Sequence, residues 1–368
     1  MSTFNLKVGA AVGALVLAAI LVPTFERPPV ETTQGGFRGT SMGTVVNPRL
    51  RATTVAANQV PEAPEAADND GDRASTLYQN VQLLGDLSNA QFLRIMQTMT
   101  EWVVPQEVRD AGNGCAYCHN IENMASDEVY TKVVSRRMLQ MVRTINNDWV
   151  PHFGGTEGAG VTCYTCHRGQ PVPSAVWSAP VLPQHGLQAQ TGQNRVSPAA
   201  GLSSMPVDPF TPYLLRDTNI RVISQTSLPR YNTTSIQQTE GTYALMMHMS
   251  SSLGVNCTFC HNSRSFSAWE SSPPARASAW HGIRMVREIN VNYITPLQPL
   301  WAANPNGPPE AGPRVARLGP AGDALMVNCS TCHRGLNKPL NGAPMLQDYP
   351  ELRAISGGPA RSAALVPQ

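Results

Sequence analysis

Apolar positions gather along this chain into a few separated stretches. The first, residues 8–22, is an unbroken run of apolar residues and glycine, with Phe4 and Leu6 before it and Phe25 after it. It predicts a helix able to cross a thin or locally adjusted bilayer, with Lys7 reaching back to the headgroups. Residues 26–75 are rich in Pro, Gly, Thr and Ala and carry no sustained period, so they read as an extended arm. Four amphipathic helices are expected beyond it. Ser88 can cap a helix over 89–103 stopped by Pro105, and Ser126 one over 127–149 ended by Pro151. Thr239 or Thr242 opens a helix that runs to Leu253, where Gly254 suits the C-cap. The last spans 275–293, ahead of Pro296. No run alternates over strand length, so the expected class is mainly α with long irregular loops and minor β content.

The pattern is also duplicated. Each half has an apolar helix, a C-x-x-C-H-Asn, a second helix and a C-x-x-C-H-Arg-Gly. The second helices match closely: Arg137-Met138-Leu139-Gln140-Met141-Val142-Arg143-Thr144-Ile145-Asn146 stands beside His281-Gly282-Ile283-Arg284-Met285-Val286-Arg287-Glu288-Ile289-Asn290. Such self-similarity implies two related units about a local pseudo-two-fold. The expected segments are a membrane anchor over 1–25, the arm over 26–76, a first unit over 77–169, a connector over 170–212, a second unit over 213–336 and a C-terminal tail over 337–368.

Composition narrows the class. With 27 basic and 25 acidic residues the net charge is +2, which argues against a nucleic-acid partner. The eight cysteines fall into four motifs: Cys115 and Cys118 before His119, Cys163 and Cys166 before His167, Cys257 and Cys260 before His261, Cys329 and Cys332 before His333. Eight Cys and eight His in random order would give about 0.004 C-x-x-C-H motifs, so four mark covalent haem attachment. Zinc and thioredoxin-like dithiols explain C-x-x-C but not a histidine after every one. No cysteine remains for a disulfide, a metal cluster or a nucleophile. The thiols add to the haem vinyl groups and the histidine coordinates iron. This chemistry needs an exported protein. Without an A-x-A-like cleavage site after the apolar run, and without a cysteine before Cys115 to carry lipid, the helix reads as a retained anchor rather than a cleaved signal, leaving the haems in the periplasm.

Each iron of an electron carrier needs a sixth ligand. A methionine thioether raises the potential and a second imidazole lowers it. The candidates are Met96 and Met99 on the first helix, Met138 and Met141 with the outlying Met124 around the second, and Met246, Met247, His248 and Met249 on the third. For the fourth iron they are Met285, His281, His152 and His185. Periodicity does not choose among them, although the repeat nominates Met285 because it aligns with Met141.

Further residues carry a resemblance to a known family. Thr100-Glu101-Trp102-Val103-Val104-Pro105-Gln106-Glu107, Gly160-Val161-Thr162 before Cys163, Ala244-Leu245-Met246-Met247, Asn256 before Cys257, Lys338-Pro339-Leu340 and Asp348-Tyr349-Pro350-Glu351-Leu352 resemble the tetrahaem cytochrome subunit of the purple bacterial photosynthetic reaction centre. The resemblance spans residues 83–352. It implies four covalently bound haems c, three His/Met and one bis-His: Met96 with His119, Met138 with His167, Met246 with His261, and His152 with His333. Met285 then packs, His281 neighbours a haem, and Arg276 matches an arginine beside the third haem. Insertions over 108–113 and within 153–160 lengthen the loops around Met96 and His152 and keep Met99 open.

The resemblance further implies a row of haems in spatial order first, second, fourth, third. The partners would be the reaction-centre membrane subunits carrying the bacteriochlorophyll special pair, re-reduced from the third haem, and a soluble donor at the first, either a small cytochrome c or a high-potential iron–sulfur protein. An electron-transfer subunit rather than an enzyme is expected. The rival classes are a membrane-anchored multihaem quinol oxidant, a multihaem reductase with an open iron, and a free periplasmic carrier.

Overall fold

The computed structural model describes residues 3–24, 29–35, 42–155, 158–181, 196–222, 235–308 and 316–353. It is mainly helical, as the periodicity predicts. Helix α1 (Thr3–Leu21) has Lys7 as its one charge and buries none of its residues. With the 3₁₀ turn after it, it is long and apolar enough to cross a membrane.

The arm holds regular elements that its missing period did not predict. Strands β1 (Glu31–Gly35) and β2 (Met42–Val46) pair antiparallel with Glu31 opposite Val46. Helix α2 (Pro48–Ala56) follows, with Asn47 as its side-chain cap and Pro48 at its first position. Tertiary hydrogen bonds hold these short elements. The Val45 N–H donates to Asn256 Oδ1 over 3.0 Å, and Thr258 Oγ1 donates to the Gly43 carbonyl over 2.8 Å. The ribbon therefore sits on the third attachment motif.

Helix α3 (Asn89–Val103) matches its predicted limits. Ser88 and Gln91 form a capping box, and Pro105 cannot extend the far end. Ile95 and Trp102 lie on its inner face at 0% and 2% exposure, each contributing about 1.5–3 kcal/mol by burial. Helix α4 (Tyr130–Asp148) starts later than expected. The Ser126 hydroxyl accepts the Glu128 N–H in a local turn instead of capping a helix. Helix α5 (Ile236–Leu253) starts earlier, capped by Ser235, because Thr242 is engaged with Tyr213 and the Ile220 carbonyl. Its C-cap is Gly254 at φ 63°, where an added Cβ would meet the Gly335 carbonyl. Helix α6 (Ala275–Glu288) widens into a π turn over Ile289–Ile294.

The two halves make matching hydrogen bonds. The buried Asn146 amide bridges both backbone groups of Val161 and the Leu352 carbonyl. Asn290 does the same with Val327 and the Leu214 carbonyl. Gly169 N–H donates to the Trp102 carbonyl at the end of α3, and Gly335 N–H to the Ser252 carbonyl near the end of α5, both over 2.7 Å. Contacts between the halves are reciprocal. Trp149 Nε1 donates to Glu288 Oε2 while Thr144 and Tyr293 share hydroxyl hydrogen bonding. The small strands β3 (Val176–Trp177) and β4 (Met326–Val327) pair antiparallel.

Candidate haem centres

The four attachment motifs fold in two ways. The first and third open as 3₁₀ turns over Cys115–Tyr117 and Cys257–Phe259. The second and fourth are one-turn helices, Cys163–His167 and Cys329–His333, with capping boxes from Thr162 to Thr165 and from Asn328 to Thr331. Arg168 and Arg334 then turn left-handed at φ 49° and 46°, and the glycines after them stay left-handed. For a residue with a Cβ that conformation costs about 1–2 kcal/mol, and it recurs where both loops cross. Arg168 Nη2 donates to the Cys332 carbonyl over 3.3 Å and Arg334 Nη2 to the Cys166 carbonyl over 2.8 Å. The Cys166 and Cys332 sulfurs lie 3.0 Å apart at the crossing. Burial and the neighbouring Arg334 lower the Arg168 guanidinium to about 10.

Every motif histidine is oriented alike. Nδ1 donates to a backbone carbonyl: that of Met124 for His119 at 3.2 Å, Gln170 for His167 at 2.9 Å, Phe266 for His261 at 2.9 Å and Leu336 for His333 at 2.9 Å. A carbonyl can only accept, so Nδ1 carries the proton and Nε2 is left basic. Burial lowers the pKa of all four, His333 to about 4 with His152 adding to the shift. They stay neutral, as iron coordination requires.

His152 is fixed by the same device. It stands in the 3₁₀ turn Val150–Phe153 after α4, and its Nδ1 donates to the Ser278 carbonyl of α6 over 2.9 Å. Its ring faces that of His333, centroids 6.0 Å apart and planes at 84°. Metal–imidazole bonds of about 2 Å put two ligating rings about 6 Å apart, and the centroid spacing matches that distance. His281 instead lies edge-on to Trp280 at 4.9 Å. His248 has both nitrogens engaged, Nδ1 with the Ala199 carbonyl and Nε2 with Ser252 Oγ, and burial lowers it to about 4. His185 lies outside the described residues.

The methionines divide by burial. Met141, Met249 and Met285 are at most 9% exposed within the apolar core. Met124 is half exposed, and Met247 reaches Gly201. Met96, Met99, Met138 and Met246 are half-buried at the edge of the core. Beyond Pro105, Val108 joins Val104 and Tyr117 in a small apolar cluster, while residues 110–113 are exposed. Arg276 donates to the Ala268 carbonyl and Ser272 Oγ, stacks over Trp269 at 5.1 Å, and its charge acts on Cys260 and His261.

Sequence reasoning passed over three residues. Asn58 of the arm, 2% exposed, accepts from Arg168 Nη1 and donates to the Arg334 carbonyl, which puts it on the crossing of the second and fourth motifs. Arg317, 8% exposed, donates to the Tyr117 hydroxyl over 2.6 Å, and its charge acts on Cys118 and His167. Gly282 lies in α6 under the His152 ring. Only Gly282 left a sequence signal, a glycine inside a helical pattern.

Paired thiols beside a neutral, carbonyl-oriented imidazole fit covalently bound haem. Among the described residues no three His, Cys, Asp or Glu side chains converge as a zinc or iron–sulfur site requires. The class is therefore that of the c-type cytochromes. Within it, the chain belongs to the family of photosynthetic reaction centre cytochrome c subunits, whose family model matches residues 26–353. The chain is 47% identical to the photosynthetic reaction center cytochrome c subunit of Rubrivivax gelatinosus over 353 residues, 95% of this chain and 90% of that one. It is 47% identical to the corresponding protein of Thermochromatium tepidum over 340 residues, 92% and 79% of the two chains, and 37% identical to that of Roseobacter denitrificans over 354 residues, 92% and 90%. The family resemblance read from the sequence is borne out. The chain is an electron-transfer subunit associated with the reaction centre of a photosynthetic membrane, and its family carries covalently bound haem c.

Proposed function

We propose that this subunit binds four haems c, re-reduces the photo-oxidised bacteriochlorophyll special pair from the side of the third attachment motif, and is itself re-reduced by a small cytochrome c or a high-potential iron–sulfur protein on the side of the first. Bound haem supplies the one-electron centres, and the residues described above attach, orient and shield it. The observation that carries the reading is the common orientation of His119, His167, His261 and His333, with His152 opposed to His333. The proposed sixth ligands are Met96, Met138, Met246 and His152, with Met99 the alternative to Met96. A fully ligated iron is suited to electron transfer and has no open position for catalysis.

The reciprocal bonds of Trp149 with Glu288 and Thr144 with Tyr293, and those of Arg168 and Arg334, support two duplicated two-haem units about a local pseudo-two-fold. On that reading the segments are the anchor (1–25), the arm (26–76), the units (77–169 and 213–336) with their connector (170–212), and the tail (337–368). The chain path supports the direction of transfer. From Thr24, the end of the membrane-length helix, to Glu31 of the ribbon docked on the third motif, an extended chain reaches about 24 Å at most. That reach supports a third motif tethered near the anchor and, with haem attached outside the cytoplasm, a body on the periplasmic face.

A carbon monoxide difference spectrum of the purified subunit, with haem content from its pyridine haemochrome, tests the closed sites. Four haems per chain and no carbon monoxide shift are expected. One ferrous haem that binds carbon monoxide in the native protein would favour a multihaem reductase instead.

A further inference from the structure

We infer that Gly282 is the specificity-determining position of the fourth haem site: its missing side chain admits the His152 imidazole where the equivalent position of the first unit carries a methionine. The inference rests on the reading of His152 as an iron ligand and adds the reason for it.

The register comes from the structure as well as the sequence. Asn146 and Asn290 make the same hydrogen bonds to Val161 and Val327, each just ahead of its attachment motif. Counted back from these anchors, Met138 lies as far before Asn146 as Gly282 lies before Asn290. Met285, which aligns with Met141, is packed in the core at 6% exposure, so it is not the counterpart of Met138. A Cβ built on Gly282 would stand 2.7 Å from His152 Cε1, closer than real Cβ atoms come, and 3.0 Å from Nδ1, itself a tight contact. The imidazole therefore lies over the place a side chain at 282 would use. The His152 ring cannot simply withdraw, because Nδ1 is bonded to the Ser278 carbonyl one turn earlier on the same helix and Phe153 stands edge-on at 5.4 Å. Glycine in a helix interior is unfavourable against alanine, so its presence under the ring has a steric reason. The same count places Pro296 at the position of His152, so the second unit has no imidazole to return to the first. One glycine and one histidine thus make the ligand sets of the two units differ, and a bis-imidazole iron has the lower potential.

The test compares His152→Ala, Gly282→Ala and the double variant Gly282→Met/His152→Ala in the full chain with haem attached. The spectra of the other three haems serve as the check on folding. In His152→Ala the fourth haem is expected to become high-spin and bind carbon monoxide; if it stays unchanged, the ligand reading beneath the inference fails. Given that change, Gly282→Ala is expected to produce the same loss at the same haem, and a fourth haem with native spin state and potential in Gly282→Ala would overturn the inference. The double variant is expected to return a six-coordinate fourth haem with a thioether-to-iron absorption band. Its reduction equilibrium should be at least tenfold more favourable than the wild type's, about 59 mV. A double variant that stays open to carbon monoxide would overturn the claim that position 282 sets the ligand.

Discussion

His152 and His333, from opposite halves of the chain, face each other with ring centroids 6.0 Å apart, and each holds its Nδ1 proton on a backbone carbonyl. The two Nε2 atoms are therefore the basic ones, and the pair is built before any iron is considered. On the proposed ligation, replacing His152 by methionine exchanges imidazole for thioether at the fourth iron. The haem on Cys329 and Cys332 should rise in potential by at least ~59 mV, a tenfold change in its reduction equilibrium, while the other three stay put. A haem-resolved redox titration reads this out, and a rise at a different haem would reassign His152.

On the same proposed ligation, Met246→His makes the opposite exchange on α5. The haem on Cys257 and Cys260 should fall in potential by at least ~59 mV, and no other haem should move. Redox titration with the α-bands resolved checks it.

Asn146 and Asn290 are buried at 1% and 0% exposure, and each satisfies three backbone groups. Either Asn→Ala change orphans those groups at about 1–3 kcal/mol for each one that water cannot reach. The two variants should lose similar stability in denaturant unfolding of the haem-loaded chain. A large loss in one and none in the other would contradict matched roles.

Arg317→Gln removes a buried positive charge whose field reaches Cys118 and His167. A positive charge disfavours the ferric state, so the first or second haem should fall in potential, and Arg317→Lys should recover most of it. Titration of both variants decides between a charge effect and simple loss of packing.

His248 is held neutral by burial, lowered to about 4. Its unfolded form takes up a proton near pH 6.5 and its folded form only near 4, so its contribution is complete above 6.5 and lost as pH falls through that window. The loss is roughly 3 kcal/mol at most. His248→Gln should flatten the stability slope between pH 6.5 and 4 in chemical denaturation; an unchanged slope would show that other groups set the acid limit.

What could be read in the chain follows from which signals are local. Ser88, Gln91 and Pro105 fix both ends of α3 through neighbours within a turn, and so does Gly254 at the end of α5. The C-x-x-C-H motifs are local as well. The ribbon of strands β1 and β2 leaves no local signal because Asn256 and Thr258, far along the chain, hold it. Ser126 and Thr242 misled because their hydroxyls serve a turn and a tertiary bond. Asn58 and Arg317 carry no motif and matter only through what the fold brings to them. The residues alone leave His152 among several candidates for the fourth iron, and only the resemblance pairs it with His333; its contacts with Ser278 and His333 come from the fold.

The central claim is tested most directly by flash-induced absorbance changes in reaction-centre complexes containing this subunit, with every haem reduced beforehand. The account predicts that the special-pair signal decays as a haem is oxidised, that the first haem to bleach is the one on Cys257 and Cys260, and that Met246→His shifts that band alone. A special pair that recovers with no haem bleaching, or with the haem on Cys115 and Cys118 bleaching first, would contradict it.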